Sequence, residues 1–245
     1  MSLLTLVQNA SDTIGLARPS AVVSSTDGNV RTLLSLANTE GRELLERFSW
    51  PATQLEATHT TLAAELQGVM TTIAPGFGYI INQTFWDRTA LQPVSGPLSP
   101  QEWQGMKART TTGPYSNYRI QGGSLYAYPA PAAGSTWAFE YQSKYFCQSS
   151  GGTNQAAWAA DTDIGVLDEN LMELGVIWRF KKKNGLDYSE DYRVYEQKLA
   201  NEMARVGGKK TLSMNGGNMS INSNNSGGAG ITGWSNLQTN WNEIG

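Results

Sequence analysis

The chain has one cysteine, Cys147, and one histidine, His59, among 245 residues. A single cysteine excludes an internal disulfide and fits a reducing compartment. One residue of each type also excludes a zinc site of the usual kind, which draws most of its four ligands from these two. Charged residues make up 16% of the chain and nearly cancel, leaving a net charge of −3. There is thus no general basic excess to hold nucleic acid by its phosphates. No apolar run approaches the ~18 residues of a membrane span. Met1 to Leu16 has no basic lead and carries Asp12 within its apolar pattern, so a signal peptide is not expected. No internal repeat is found. What the chain does have is a hydrophobic fraction of 40%, which at this length serves one large domain or two modest ones.

Helical spacing opens the chain: Leu3, Val7, Ala10 and Ile14 recur on one face, and Gly15 ends the run. A longer helix is predicted from near Asp27, with Val30, Leu33, Leu34, Ala37, Gly41, Leu44, Leu45 and Phe48 on one face. Pro51 stops it, because the residue before a proline disfavours the helical region. From Trp50 to about Asp163 the period changes to two. "NYRIQ" and "SLYAY" are joined by Gly122-Gly123, a composition suited to a primed hairpin turn, which sets Ile120 opposite Leu125 and Tyr118 opposite Ala127. "TWAFEYQSKY" reads as a third strand with Trp137, Phe139 and Tyr141 buried and Ala138, Glu140 and Gln142 wet. "QLEATHTTL" is a fourth. Inside this region "GPLSPQEWQ" opens a short helix: Ser99 caps it, Pro100 takes the first position, Glu102 completes a capping box, and Trp103 sits within.

Helix returns after Leu167, with Leu171, Leu174 and Trp178 on one stripe and Gly185 closing it. A final helix keeps Tyr188, Tyr192, Tyr195, Leu199, Met203 and Val206 in register over about five turns. The expected fold is α+β. Residues 1–50 and 165–206 form an α-helical bundle, and 51–164 form an inserted antiparallel β domain. Residues 207–245 form an extended arm: 9 Gly, 8 Asn and 5 Ser with only three charges cannot bury a core.

Few side chains suggest chemistry. Gly228, Gly230 and Gly233 spell GxGxxG, but no strand feeds the motif and no helix follows to receive a pyrophosphate. "GGKKT" at 207–211 lacks the first glycine of a phosphate loop. No GxSxG is present to place a nucleophile beside His59, which alternates with Leu55 and Ala57 on a strand and reads as structural. Asp161 and Asp163 are two apart, as in some cation sites, yet aspartates in such a loop more often bond nearby backbone and shape the turn. Arg179, Lys181, Lys182 and Lys183 are weak candidates for facing DNA. The simpler reading is a cationic helix end placed to suit the helix dipole. No catalytic, metal or cofactor-binding residue is assigned.

The order of elements, and several phrases within it, resemble the head-to-tail adaptor (connector) proteins of short-tailed bacteriophages. The phrases are "LTLVQNASDTIGL", "ANTEGRELLERFSWPA", "IINQTFWDRTALQPVSGPLSPQEWQ", "YPAPAAGSTWAFEY", "AADTDIG" and "LGVIWRFKKKNGLDYSEDYRVYEQKLA". The likeness runs roughly from Ser2 to Leu212, "GPLSPQEW" is its most specific part, and the sequence beyond Leu212 departs from it. The resemblance implies a structural protein of the virion, assembled in the host cytoplasm, with no enzyme activity, cofactor or membrane. It implies a ring of twelve copies below the portal and above the tail nozzle, continuing the channel through which the genome is packaged and ejected without sequence-specific contact. Trp86 and Trp103, in proline-rich loops, are expected to be exposed aromatic anchors of the interfaces. Ile231, Trp234, Leu237, Trp241 and Ile244 are expected to bind the arm to the portal or a neighbouring copy. Two rivals remain: a tail-associated cell-wall hydrolase using carboxylates such as Glu140 or Asp161, and a sequence-independent DNA-binding module using Lys181, Lys182 and Lys183.

Overall fold

A computed structural model describes residues 1–109 and 115–207. The first helix, α1 (Leu3–Ile14), starts at Ser2, whose hydroxyl accepts from the Thr5 N–H, and closes on Gly15 at φ 82°. The left-handed backbone at that position explains the glycine. The second, α2 (Gly28–Arg47), starts at Asp27, whose carboxylate accepts from the Asn29 N–H at 2.7 Å. Val30, Leu33, Ala37, Gly41 and Leu44 are buried as their spacing predicts. One charged side chain, Glu40, is buried with them at 0% exposure.

Pro51 then begins a single 3-10 turn, and the chain becomes extended: β1 (Gln54–Thr60) and β2 (Leu66–Val69), then a one-turn helix α3 (Met70–Ile73) and β3 (Phe77–Ile80). Next come β4 (Trp86–Asp87), β5 (Gln92–Pro93) and the helix α4 (Pro100–Ala108). The hairpin β6 (Asn117–Gln121) and β7 (Ser124–Tyr128) leads to the long β8 (Thr136–Ser143), followed by β9 (Cys147–Gln148), β10 (Asn154–Gln155) and β11 (Ile164–Gly165). β8 is central: β1 lines one edge, and β4 and β3 follow one another along the other, with β5 outside β4. Two three-stranded sheets, β2-β7-β6 and β10-β9-β11, complete the set, and the strand pairings are antiparallel. The chain is therefore α+β with antiparallel sheets.

The β6–β7 register is the predicted one, Ile120 with Leu125 and Tyr118 with Ala127. Gly122 at φ 56° and Gly123 at φ 73° give the turn two left-handed residues, as a primed type requires. The wet face expected of β8 is largely covered. Of the three residues expected there, Glu140 is exposed, while Ala138 and Gln142 are each 2% exposed. Ala138 lies beside Trp86 of β4 in register. Gln142 accepts from the Ser49 hydroxyl at 2.9 Å and donates to Thr53 Oγ1, so the segment joining α2 to β1 closes over it.

The chain ends its described part with α5 (Glu169–Lys183) and α6 (Ser189–Val206). α5 touches α1, α2 and α6. One apolar stripe cannot serve three neighbours, and Leu171, Met172, Gly175, Val176, Ile177, Trp178 and Phe180 are all buried. The single stripe expected for this helix was too narrow. Two apolar clusters result. One gathers the helices with Trp50, Phe146, Cys147, Trp158 and Leu167. The other gathers the β1, β6, β7 and β8 side chains around Phe85, whose ring lies 4.6 Å from Tyr118, 4.9 Å from Phe139 and 5.3 Å from Trp137.

Candidate functional site

The residues singled out by sequence separate clearly. Trp103 is not an exposed anchor: it is 3% exposed, on the inner side of α4, with its ring 6.1 Å from that of Tyr128. A nine-residue helix buries its largest apolar residue against its neighbours, here Tyr128 of β7, and the proline-rich approach only delivers it there. Trp86 is 37% exposed, although it sits in β4 rather than in a loop. Ile231, Trp234, Leu237, Trp241 and Ile244, the arm, and the glycine motif at Gly228, Gly230 and Gly233 lie outside the described residues.

The basic run is dispersed. Arg179 is 11% exposed at its side chain and committed to Glu40 at 2.7 Å and Glu43 at 2.7 Å, which removes it from a DNA-facing set. Lys181 pairs with Asp191 at 2.6 Å. Lys182 lies 5.6 Å over the Trp178 ring, and Lys183 reaches Thr32 Oγ1 at 3.3 Å. His59 lies on β1 with its Nε2 buried and unpartnered, and burial holds its imidazole below the ordinary range. The Cys147 thiol is pushed up to about 12 by burial, with the Asp163 charge adding to the effect, so it stays protonated and unreactive. No group of three or more His, Cys, Asp or Glu side chains among the described residues is placed to hold a metal ion.

Asp161 and Asp163 shape backbone, and one of them does so far from its own turn. Asp163 accepts the Ala159 and Ala160 N–H groups, both at 2.8 Å. Asp161 reaches the loop after α1, accepting from Val22 and Val23 N–H groups at 3.1 and 2.8 Å. Their main-chain carbonyls take the Leu4 and Leu3 N–H groups at 3.1 and 2.8 Å. "AADTDIG" therefore seats the first turn of α1, satisfying donors that a helix start leaves open.

Sequence reasoning missed Glu40. Its carboxylate accepts the Tyr195 hydroxyl at 2.6 Å and Arg179 Nε at 2.7 Å, joining α2, α5 and α6. Burial raises the Glu40 carboxyl above its ordinary range against the opposing pull of Tyr195 and Arg179. Gly175 makes room: a Cβ there would overlap the Glu40 carboxyl. A signal was present, since Glu40 lies three after Ala37 and four before Leu44, on the face that α2 buries.

The most developed surface is the β4–β5 hairpin. Asp87 organises it: Oδ1 accepts the Thr89 and Ala90 N–H groups at 2.9 and 2.8 Å, and Oδ2 accepts Trp137 Nε1 at 3.1 Å. Thr89 Oγ1 accepts the Thr136 N–H at 2.9 Å, and the Arg88 N–H donates to the Thr136 carbonyl at 2.8 Å, tying the turn to β8. The tip, Leu91, is 80% exposed and held at φ 56°. Beside it, Trp86, Thr84, Glu56, Arg88 and Glu140 line a cleft of about 420 Å³. Glu56 and Glu140 stand directly opposite across β1 and β8, with Arg88 3.0 Å from Glu56. This is a rigid, solvent-facing surface of apolar and charged groups, able to bind another surface. No family model and no curated protein matches the chain, and no helix among the described residues is long and apolar enough to cross a membrane.

Proposed function

We propose that the chain is a head-to-tail adaptor of a short-tailed bacteriophage, a structural subunit that forms a ring of twelve between portal and tail nozzle and continues the genome channel. In this reading the helices 1–50 and 165–206 are a bundle, 51–164 an inserted β domain, and 207–245 an arm that binds the portal or a neighbouring copy. The observation that carries it is where the phrases of the resemblance fall. Glu40 of "ANTEGREL" meets Arg179 of "LGVIWRF" and Tyr195 of "RVYEQ". "AADTDIG" seats α1, and "GPLSPQEW" supplies the doubly bonded cap of α4. Those phrases lock the scaffold together, so chains that share them share the means of holding one rigid shape. A subunit repeated around a ring needs such rigidity, because segments already ordered lose little entropy on assembly.

Mixing the purified chain with the portal of the same phage should give, by electron microscopy, a ring of adaptor copies on each portal. Truncation after Leu212 should leave the subunit folded and lower that occupancy. Isolated copies beside bare portals would overturn the reading. The hydrolase alternative rests on Glu140 or Asp161; Asp161 is committed to the Val22 and Val23 N–H groups, and the carboxylate that the strands set opposite Glu140 is Glu56. An acid catalyst there needs a carboxyl kept protonated by an enclosed site. Glu140 is exposed and Glu56 is half-exposed and ion-paired, so the pair supports that alternative poorly.

A further inference from the structure

Two exposed surface features lie on the described residues, a turn tip and a groove. The first is the β4–β5 tip, where Leu91 projects at 80% exposure beside Trp86. Its backbone at φ 56° is one that residues with side chains rarely adopt, and Asp87 with three hydrogen bonds holds the turn in place. The second is a mainly apolar groove of about 490 Å³ between α2 and the β3–β8 pair, walled by Leu45 and Tyr79. Tyr79 is 51% exposed there.

Their charges are complementary. Around the tip, Glu56, Asp87 and Glu140 stand against Arg88 alone, a net of −2. Around the groove, Arg42 and Lys144 stand against Glu46, a net of +1. No ion pair among the described residues engages Glu140, Arg42 or Lys144. The two features cannot meet within one copy. β4 pairs with β8 at Trp137 and Ala138 and β3 at Tyr141 to Ser143, so they are anchored on the order of 13 Å apart along the same strand.

We propose that the Leu91 tip of one copy seats in the Tyr79 groove of the next, with Glu140 facing Lys144 across the contact. The occupant is a second copy because the acidic surround of the tip and the basic surround of the groove are complementary and are carried by the same chain. Repeated head to tail, the contact yields a closed ring or an open series according to its rotation; made reciprocally, it yields a two-fold pair. The proposal rests on the adaptor reading only for closure into a ring.

Sedimentation of the full chain, alone and with portal, tests it. Leu91→Asp should weaken self-association at least tenfold, and so should Lys144→Glu. The pair Glu140→Lys with Lys144→Glu should restore much of it, which a merely structural role for either residue would not. All three side chains are exposed, so each variant should keep the parent melting temperature. Self-association indifferent to Leu91→Asp and Lys144→Glu, or lost equally in the charge-exchanged pair, would overturn the contact. That result is also the one given by a groove filled by the chain's own arm or by the portal. If the variants behave as expected but the chain ignores the portal, the contact stands and the adaptor reading fails. If a portal-bound ring forms regardless of Leu91→Asp, the reading stands and the contact fails. A parent chain that stays single with and without portal removes both.

Discussion

At the scale of single residues, the strongest constraint in this protein is a carboxyl without water. Glu40 is 0% exposed and is held by Arg179 and by Tyr195. Such a buried pair is weak evidence of net stabilisation, since taking both charges out of water costs about what their attraction returns. Its effect is to make the helix packing selective, because each partner is costly once the other is displaced. Gly175 is the position where this can be probed without deleting a charge. Adding one methyl in Gly175→Ala overlaps the Glu40 carboxyl and forces either α5 or the carboxyl to move. We expect a loss of about 1–3 kcal/mol, as overpacking of a close contact gives, read from chemical denaturation. An unchanged midpoint would mean that the carboxyl has room that this packing denies it. The glycine alone said nothing of this in the sequence, because the overlap involves a residue on another helix.

Elements differ in how far their own sequence defines them. α4 is defined locally: the Ser99 hydroxyl accepts the Glu102 N–H at 3.3 Å, and the Glu102 carboxylate accepts the Ser99 N–H at 2.8 Å. These bonds hold the Glu102 carboxyl below its usual range. A nine-residue helix has little stability by itself and depends on its start being satisfied. Ser99→Ala is expected to cost about 1 kcal/mol and to raise amide exchange selectively through α4. Equal protection in the variant would show that the packing of Trp103 alone holds the helix. β8 is the opposite case. Its alternation was legible, but the covering of Gln142 came from Ser49 and Thr53, which join a distant helix to a distant strand.

For the whole molecule the question is whether two apolar clusters make one cooperative unit. β8 contributes Trp137, Phe139 and Tyr141 to one cluster, and three residues beyond its end Phe146 enters the other. The Phe146 ring lies so close upon Gly41 of α2 that a Cβ there would overlap it. Gln142 adds hydrogen bonds to the segment between α2 and β1. Loosening either cluster therefore disturbs the strand that anchors the other. Calorimetry of the chain should show one transition for residues 1–207, with van't Hoff and calorimetric enthalpies in agreement. Two resolved transitions would show that the β strands and the helices melt as separate bodies.

The sequence alone determined the span and ends of α1, the start and buried face of α2, the cap of α4, the β6–β7 register and its glycine turn, while α2 ends at Arg47 and leaves Phe48, read as helical, extended. Each depends on interactions within one helical turn or across one tight hairpin, where periodicity and a few capping residues outweigh everything more distant. The tertiary structure decided the rest. Arg179 meets Glu40 across 139 residues, and Asp161 meets Val22 across another 139. Trp103 turned inward although its loop suggested a surface anchor, and Leu91 stayed outside although it is among the more apolar residues nearby. The physical reason is competition for burial. An apolar or charged side chain carries no record of which partner will exclude water from it, and that choice is made only when the helices and β8 close on one another.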